Sequence, residues 1–264
     1  EVIISDDGSE VDDRSWAQKE GYKYVKGTRR GFAAACNRGS QLAEGDTLVF
    51  LNNDTVVMNG WLPPLLEAVS NGYAAAAPLL LYPGGTIQHC GVVVGWALGK
   101  LQMRHIYEGY PLFPPALKQR EFQALTGACL AVKRSVWEKI GGFDESYVNG
   151  CEDLDFCLKL RWEGRKLLFC PRSRVVHFGG MTPGRFDHEK KNYELFLRRW
   201  QGKVKIDEWR YYLEDLPYSL PWIVKVGFGS FCPKPLRRAY WRMRRWSLRR
   251  GIRAFLTAGG GVNP

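Results

Sequence analysis

The fold of this chain can be argued outward from one stretch, Thr47-Leu48-Val49-Phe50-Leu51-Asn52-Asn53-Asp54-Thr55. Its first five residues are apolar or β-branched without interruption, which predicts a strand buried on both faces. The two asparagines and Asp54 are turn residues that end this strand. Because ligands in open α/β sheets bind beyond the carboxyl ends of the strands, Asp54 lies where a ligand is expected.

Strands and helices alternate on both sides of this stretch. The sequence predicts strands over residues 2–5, 22–26, 74–81, 86–94, 122–132, 166–170 and 174–178, and helices over residues 31–43, 62–70, 135–140, 152–163 and 187–200. Continuously apolar strands that alternate with helices are typical of a mostly parallel sheet covered on both faces. The predicted fold class is therefore α/β, with little regular structure over residues 98–119.

The composition is that of an ordinary globular protein. Of 264 residues, 45% are apolar and 25% are charged, which excludes disordered, collagenous and coiled-coil chains. The seven cysteines are irregularly spaced and form no CxxC pair, so reduced thiols in a cytosolic compartment are favoured over a disulfide scaffold or a zinc site. No apolar run reaches the roughly 20 residues that span a bilayer.

The net charge of +11 is concentrated at one end of the chain. Residues 216–264 contain ten lysines or arginines and no acid, which leaves +1 for residues 1–215. We therefore expect a near-neutral domain over residues 1–205 and a basic, aromatic-rich extension over residues 206–264.

The extension contains one predicted amphipathic helix. From Leu236, one helical face carries Leu236, Ala239, Tyr240, Met243 and Trp246, and the other faces carry most of the arginines. Such a helix suits the surface of an anionic membrane, which is the preferred interpretation. A helix docked on the body is the second alternative. Nucleic-acid binding through interleaved arginines and aromatic rings is the least favoured.

Two acidic segments and one histidine are candidates for chemistry. Asp54 suits Mg²⁺ or Mn²⁺ as an oxygen ligand, although the same residues also serve as an ordinary turn. The acids of Glu152-Asp153-Leu154-Asp155 are explained by helix capping, yet three carboxylates exceed what capping requires, so one can serve as a general base. His177 is either a metal ligand or a buried core residue.

Seven short motifs follow one another in a fixed order. They are Asp6-Asp7-Gly8-Ser9, Gly31-Phe32-Ala33-Ala34-Ala35-Cys36-Asn37-Arg38-Gly39, Leu51-Asn52-Asn53-Asp54, Thr126-Gly127-Ala128, Gly141-Gly142-Phe143-Asp144-Glu145, Glu152-Asp153-Leu154-Asp155 and Val176-His177. Over about residues 1–200 this ordered set resembles glycosyltransferase family 2, in particular its rhamnosyltransferase-like members.

The resemblance implies the GT-A fold of nucleotide-diphospho-sugar transferases, with a mostly parallel central sheet and here a basic helical C-terminal extension. The family pattern begins with a strand and a helix before Asp6, whereas this sequence starts at Glu1. We therefore expect a GT-A domain that lacks its first strand and helix.

The resemblance also implies the roles of individual residues. It implies that the donor nucleotide is bound by Asp6, Asp7, Asn53 and Asp54. It also implies that a divalent cation, Mg²⁺ or Mn²⁺, is bound by Asp54 and His177. Asp153 matches the catalytic base. The resemblance implies that the donor sugar and the acceptor are contacted by Thr126, Gly127, Ala128 and Glu152.

The implied activity is inverting, metal-dependent transfer of a single sugar from a nucleotide-diphosphate donor to a saccharide or lipid-linked acceptor, in cell-surface polysaccharide synthesis. A single transfer is favoured because Phe196-Leu197-Arg198-Arg199-Trp200 lacks the glutamine of the processive QxxRW motif. The expected location is the cytoplasm, at the inner face of the plasma membrane. The alternatives are a non-catalytic GT-A-like binding module and a nucleic-acid-binding protein.

Overall fold

The computed structural model describes residues 1–180, 184 and 186–221. The basic helix predicted from Leu236 lies outside these residues. Within the described part of the chain, no helix has both the length and the apolar character needed to cross a membrane.

The described chain alternates between strands and helices. The strands are β1 (Ile3–Asp6), β2 (Lys23–Lys26), β3 (Thr47–Leu51), β4 (Thr55–Val57), β5 (Ala75–Leu81), β6 (Ile87–His89), β7 (Val92–Ala97), β8 (Lys100–His105), β9 (Arg120–Glu121), β10 (Cys129–Lys133) and β11 (Leu167–His177). The helices are α1 (Arg14–Lys19), α2 (Phe32–Ser40), α3 (Pro63–Ser70), α4 (Arg134–Ile140), α5 (Glu152–Trp162), α6 (Glu189–Trp200) and α7 (Glu208–Glu214), with a 3₁₀ turn at Pro114–Leu117.

A seven-stranded sheet forms the centre of the fold. Its order is β3-β10-β5-β11-β4, with β6 paired to β5 and β9 paired to β11. Strands β5 and β11 pair in parallel, and β10 runs antiparallel to both β3 and β5, so β3, β5 and β11 all run in one direction. The shared direction of β3, β5 and β11 is the predicted one, while the antiparallel strands β4, β6, β9 and β10 make the sheet mixed. The predicted α/β class is confirmed.

Two smaller sheets flank this centre. Strands β1 and β2 pair in parallel, and β7 and β8 form an antiparallel hairpin. Helix α2 packs closely on β1, since a side-chain carbon at Gly39 would lie 3.1 Å from the Ser5 Cβ. Strand β8 of the hairpin occupies residues for which the sequence predicts little regular structure, although Leu101 and Met103 alternate there with polar residues, as in a half-buried strand.

Strand β5 is buried along its whole length and divides the core into two layers. Ala75, Ala77 and Leu79 face a large aromatic cluster that includes Phe143 and Phe156, while alternate residues face helix α3. This is the pattern predicted for a strand covered on both faces. Strand β3 differs from the prediction, because Leu51 is 42% exposed. The reason is that, among the described strands, β3 is hydrogen-bonded only to β10.

Four predicted strands have different limits in the structure. The strand expected over residues 86–94 is broken into β6 and β7 at Gly91, whose φ is +118° and whose α-carbon faces the Phe122 ring. Residues 122–128 precede β10 as a loop, because their apolar side chains such as Leu125 fill the core without a ladder. The strands expected over residues 166–170 and 174–178 form one strand, β11, with a register shift between Cys170 and Arg174.

The first part of the expected C-terminal extension packs into the body. Tyr211 and Tyr212 of α7 belong to the main core. The Asp215 carboxylate, 1% exposed, accepts a hydrogen bond from the Tyr107 hydroxyl at 2.7 Å and pairs with Arg120 at 2.9 Å. Residues 207–219 are therefore attached to the sheet domain by both apolar and ionic contacts.

A buried acid also attaches α6 to α5. Asp155 has no exposed surface, pairs with Lys159 at 2.9 Å and Arg199 at 2.7 Å, and accepts a hydrogen bond from the Trp200 indole at 2.8 Å. Helix α5 begins with the acidic motif, so these contacts hold the motif against the end of α6. We call Asp155, Lys159, Arg199 and Trp200 the Asp155 cluster.

We expect Asp155→Ala to lower the free energy of unfolding by about 1–3 kcal/mol, because it leaves the buried Trp200 indole N–H without its acceptor and removes a partner of Lys159 and Arg199. The control is Glu194→Ala, which removes an acid from an exposed pair with Lys190 on α6 and costs at most about 0.5 kcal/mol. Urea unfolding of both variants measures the difference. Equal losses in the two variants would show that the Asp155 cluster does not hold the helices together.

Candidate active site

Strand pairing brings Asp54 and His177 together at one end of the central sheet. In the antiparallel β4–β11 ladder, His177 lies opposite Thr55, so Asp54 is next to it. The Asp54 Oδ1 atom lies 3.0 Å from the His177 Nε2 atom. Two residues that are 123 positions apart in the sequence thus form one pair, at the carboxyl ends of β3 and β11.

His177 is 6% exposed and its ring contacts two amides. Its Nδ1 atom lies 2.5 Å from the Gln88 Oε1 atom, and its Nε2 atom lies 3.3 Å from the Asn52 Nδ2 atom. The side chain is therefore held on both edges of the ring. His177 is thus buried, as the core interpretation predicts, and it also faces a carboxylate, as the metal-ligand interpretation requires.

The donor atoms around Asp54 suit a divalent cation that is shared with a ligand. In the described residues no three His, Cys, Asp or Glu side chains are grouped as a complete metal site. Asp54 and His177 provide two donors, and the Asn52 Oδ1 atom is buried without a hydrogen-bond partner. Mg²⁺ is commonly bound by one or two carboxylates with waters and substrate phosphates supplying the remaining ligands, so this set fits.

Asp153 lies beside the loop that precedes β10. Its Oδ2 atom accepts a hydrogen bond from the Gly127 N–H at 2.8 Å, and its Oδ1 atom accepts one from the Leu154 N–H at 2.8 Å. A side chain at Gly127 would crowd Asp153 and Phe32, each at 3.1 Å from the added carbon. The structure thus brings the Thr126-Gly127-Ala128 and Glu152–Asp155 motifs into direct contact.

The three acids of α5 have different surroundings. Asp153 is half-buried, whereas Asp155 is enclosed in its cluster. Glu152 is 6% exposed, and its carboxylate accepts a hydrogen bond from the Gly150 N–H at 2.6 Å. Of the three carboxylates, that of Asp153 is the most accessible to an acceptor hydroxyl.

A backbone hydrogen bond joins the Asp153 side of the site to the Asp54 side. The Asn52 N–H donates to the Ala128 carbonyl at 2.9 Å. This bond continues the β3–β10 ladder, in which Leu51 lies opposite Cys129. The turn that contains Asp54 and the loop that touches Asp153 are therefore positioned by the same pair of strands.

Asp6 and Asp7 lie at the end of β1 and are engaged in local contacts. Asp6 accepts hydrogen bonds from the Tyr24 hydroxyl and the Ser9 N–H, both at 2.7 Å. Burial alone raises the pKa of Asp6, but these bonds and the charge of Lys26 outweigh it and lower that pKa to about 2. Asp7 accepts hydrogen bonds from backbone N–H groups, including that of Gly31 at 2.7 Å. Both acids thus shape the loops beside α2.

Comparison with known proteins identifies the family. A profile described as glycosyl transferase family 2 matches residues 1–141, more than half of the chain. The chain belongs to glycosyl transferase family 2. The resemblance inferred from the seven motifs is thereby confirmed.

Two curated relatives are informative. The O-antigen biosynthesis protein RfbC of Myxococcus xanthus is 33% identical over 196 residues, covering 72% of this chain and 14% of that protein. The N-acetylglucosaminyl-diphospho-decaprenol L-rhamnosyltransferase of Mycobacterium tuberculosis is 28% identical over 236 residues, covering 76% of each chain. The chain spans only 14% to 34% of the length of three of the matched proteins, RfbC among them.

A solved structure supports the fold. The crystal structure of GalNAc-T7 with UDP, GalNAc and Mn²⁺ superposes with a TM-score of 0.55, at 20% identity, over 83% of this chain and 52% of that one. At this identity the likeness concerns the fold alone, and it confirms the predicted GT-A architecture.

The structure groups the predicted site residues of this family 2 chain into three sets. Asp54 and His177 form one, Asp153 with the loop from Thr126 to Ala128 forms the second, and Asp6 with Asp7 forms the third. Asn53 is exposed at the turn after β3. The predicted roles of these residues stay predictions.

Sequence reasoning missed several residues that hold the site together. Asn149 accepts a hydrogen bond from the Phe32 N–H at 2.9 Å at the start of α2, and Gln88 binds His177. Neither residue belongs to a local pattern, so the sequence contained no signal for them. Arg199 and Trp200 did stand in a recognised segment, but the sequence did not reveal that Asp155 is their partner.

Proposed function

We propose that this family 2 chain is an inverting glycosyltransferase that moves one sugar from a nucleotide-diphosphate donor to an acceptor hydroxyl. The observation that supports this most is the pairing of Asp54 with His177 after strand β3, together with the accessible carboxylate of Asp153 beside the loop that precedes β10. This arrangement provides a place for a charged leaving group and a base for the incoming hydroxyl.

The leaving group is the nucleoside diphosphate. We assign Asp54 and His177 to a Mg²⁺ or Mn²⁺ ion, which when bound neutralises the charge that develops on the diphosphate. The GalNAc-T7 structure holds Mn²⁺ and UDP, which supports this assignment. We assign Asp6, Asp7 and Asn53 to the nucleotide, since they occupy the family's donor-binding positions.

Asp153 is the proposed general base. It takes the proton from the acceptor hydroxyl as that oxygen bonds to the anomeric carbon and the bond from this carbon to the diphosphate breaks. A single displacement of this kind inverts the configuration. The Gly127 N–H and Leu154 N–H hold the carboxylate in place, and buried Glu152 supports the helix start.

The acceptor is proposed to be a saccharide or a lipid-linked saccharide in cell-surface polysaccharide synthesis. The names of the Myxococcus and Mycobacterium relatives, which refer to O-antigen and to a diphospho-decaprenol acceptor, support this proposal. We propose a cytoplasmic location at the inner face of the plasma membrane. The ten basic residues in 222–264, without any acid, would attract this segment to anionic lipid.

Asp153→Asn is expected to lower kcat by roughly 10²- to 10⁴-fold, because it removes a positioned base. Binding of the nucleoside diphosphate in the presence of Mn²⁺, measured by calorimetry, should change little. Glu152→Gln is the matched control and should retain most of the turnover. A dead Glu152→Gln with an active Asp153→Asn would reverse the roles of the two acids, and no transfer by the wild type with any donor would favour a non-catalytic binding module.

Activity is expected to depend on a divalent cation, because Asp54 and His177 provide donors that a bound diphosphate would share with it. Transfer is measured in EDTA and again after Mn²⁺ or Mg²⁺ is returned in excess. The expected result is loss of turnover in chelator and recovery with metal. Full activity in EDTA would remove the proposed metal role of both residues.

Truncation after Pro221 is expected to abolish sedimentation with anionic vesicles and to leave turnover on a soluble acceptor analogue largely intact. The cut retains Ser219, whose hydroxyl is buried against the Tyr212 carbonyl. Each basic residue near an anionic leaflet contributes about 1 kcal/mol, and salt should weaken binding of the full chain. If the truncated protein precipitates, residues 222–264 cover the body instead, and docking replaces membrane contact.

A further inference from the structure

We infer that Gln88 is a positioning residue that fixes the tautomer of the neutral His177 ring and directs its Nε2 lone pair toward Asp54 for a divalent cation. The inference rests on the proposed metal role of Asp54 and His177, and it adds a residue that no motif contains. It follows from which atoms of Gln88 and His177 can donate a hydrogen bond and which can only accept one.

The Gln88 amide has one possible orientation. It faces His177 twice, at the backbone carbonyl and at the ring Nδ1 atom. A backbone carbonyl accepts hydrogen bonds and never donates them, so the Gln88 NH₂ group must be the one that faces it, at 3.0 Å. The Gln88 Oε1 atom is then left facing Nδ1 at 2.5 Å.

This orientation determines where the ring carries its proton. The Oε1 atom can only accept, so Nδ1 must be the protonated nitrogen of the neutral ring. The Nε2 atom then carries the lone pair of the neutral ring. The Asn52 NH₂ group, 3.3 Å from Nε2, is a donor and agrees with this assignment.

The third neighbour of Nε2 is the reason to invoke a cation. The Asp54 Oδ1 atom lies 3.0 Å away, and an ionised carboxylate only accepts hydrogen bonds. With Nδ1 protonated, neither Nε2 nor Oδ1 donates to the other, so the two atoms are suited to share a positive charge. A divalent ion satisfies both, and a ligating histidine usually donates its other N–H to a fixed acceptor, which here is Gln88.

The strands hold Gln88 rigidly for this task. In the central sheet, Ile87 of β6 and Val176 of β11 both pair with Leu81 of β5, so Gln88 and His177 flank the carboxyl end of one strand. Gln88 is 9% exposed. A β-carbon added at Gly179 would lie 3.2 Å from the Gln88 Nε2 atom. Glycine at this position therefore leaves space for the Gln88 amide.

One alternative gives the same distances without a metal. If His177 carries protons on both nitrogens, it forms a salt bridge with Asp54, and Gln88 merely solvates the ring. The two states differ in the protonation of Nε2 and in the affinity for a metal ion, and both properties can be measured without turnover.

The test compares Mn²⁺ binding by the full chain in three variants. Gln88→Met keeps the size of the side chain and removes the acceptor, whereas Gln88→Glu keeps an acceptor for the Nδ1 proton. Gln102→Met is the control, because the Gln102 amide donates to the Tyr193 hydroxyl, at a distance of 2.7 Å, and does not contact His177 or Asp54. Free Mn²⁺ is measured by electron paramagnetic resonance in the presence of a nucleoside diphosphate. We expect Gln88→Met to bind Mn²⁺ about 10- to 100-fold more weakly than the wild type. Gln88→Glu should bind more tightly than Gln88→Met, and the control should be unchanged.

A second readout reports the tautomer directly. Nitrogen-15 NMR of the metal-free wild type should show His177 with its proton on Nδ1 and a lone pair on Nε2, and Gln88→Met should show a mixture of tautomers. A wild-type ring with a proton on Nε2 overturns the inference even if Gln88→Met fails to fold. Mn²⁺ binding that is equal in wild type and Gln88→Met also overturns it and leaves the metal site standing. By contrast, a wild type with the Nδ1 tautomer that binds no Mn²⁺ overturns the metal role itself.

Discussion

Strand β11 pairs with β5 on one side and with β4 on the other, and the positions of the site residues depend on this double pairing. Strand β5 is buried along its whole length, so the register of its parallel ladder with β11 is determined by the apolar side chains that must enter one of the two core layers. The antiparallel ladder with β4 then determines that His177 faces the residues beside Thr55. A shift of β11 by one residue would turn His177 away from Asp54 and would move its apolar side chains into the opposite core layer.

Buried acids attach the C-terminal helices to this sheet. Asp155 connects α5 to α6, and Asp215 connects the end of α7 to Tyr107 and Arg120. A buried ion pair adds little net stability compared with apolar packing, but it is costly to break, so it specifies which surfaces meet. This matters for function because α5 begins with Asp153. The cluster around Asp155 holds the proposed base beside the Gly127 loop without taking part in the chemistry.

The site thus combines two solutions for holding a carboxylate. Asp153 is held by backbone N–H groups and retains an accessible position, which suits a base that meets a substrate. Asp54 faces a histidine that is itself held by an amide, which suits a ligand to a cation that arrives with the donor. Family 2 membership and the GT-A architecture agree with both arrangements. The backbone bond from Asn52 to Ala128 keeps the two carboxylates in one rigid frame.

The sequence by itself determined the α/β class, most of the elements and the motif residues, because those depend on neighbours within a few positions. The uninterrupted apolar run at β5 predicts a strand covered on both faces, and the acids of Glu152-Asp153-Leu154-Asp155 predict a helix start whatever lies around them. Only the tertiary structure decided how those acids divide their roles. Asp155 is enclosed because Arg199 and Trp200 reach it from 44 and 45 positions away, and Gln88 meets His177 across 89 positions. Such contacts follow from strand register and from the need to satisfy buried polar atoms, and neither condition leaves a pattern in the local sequence.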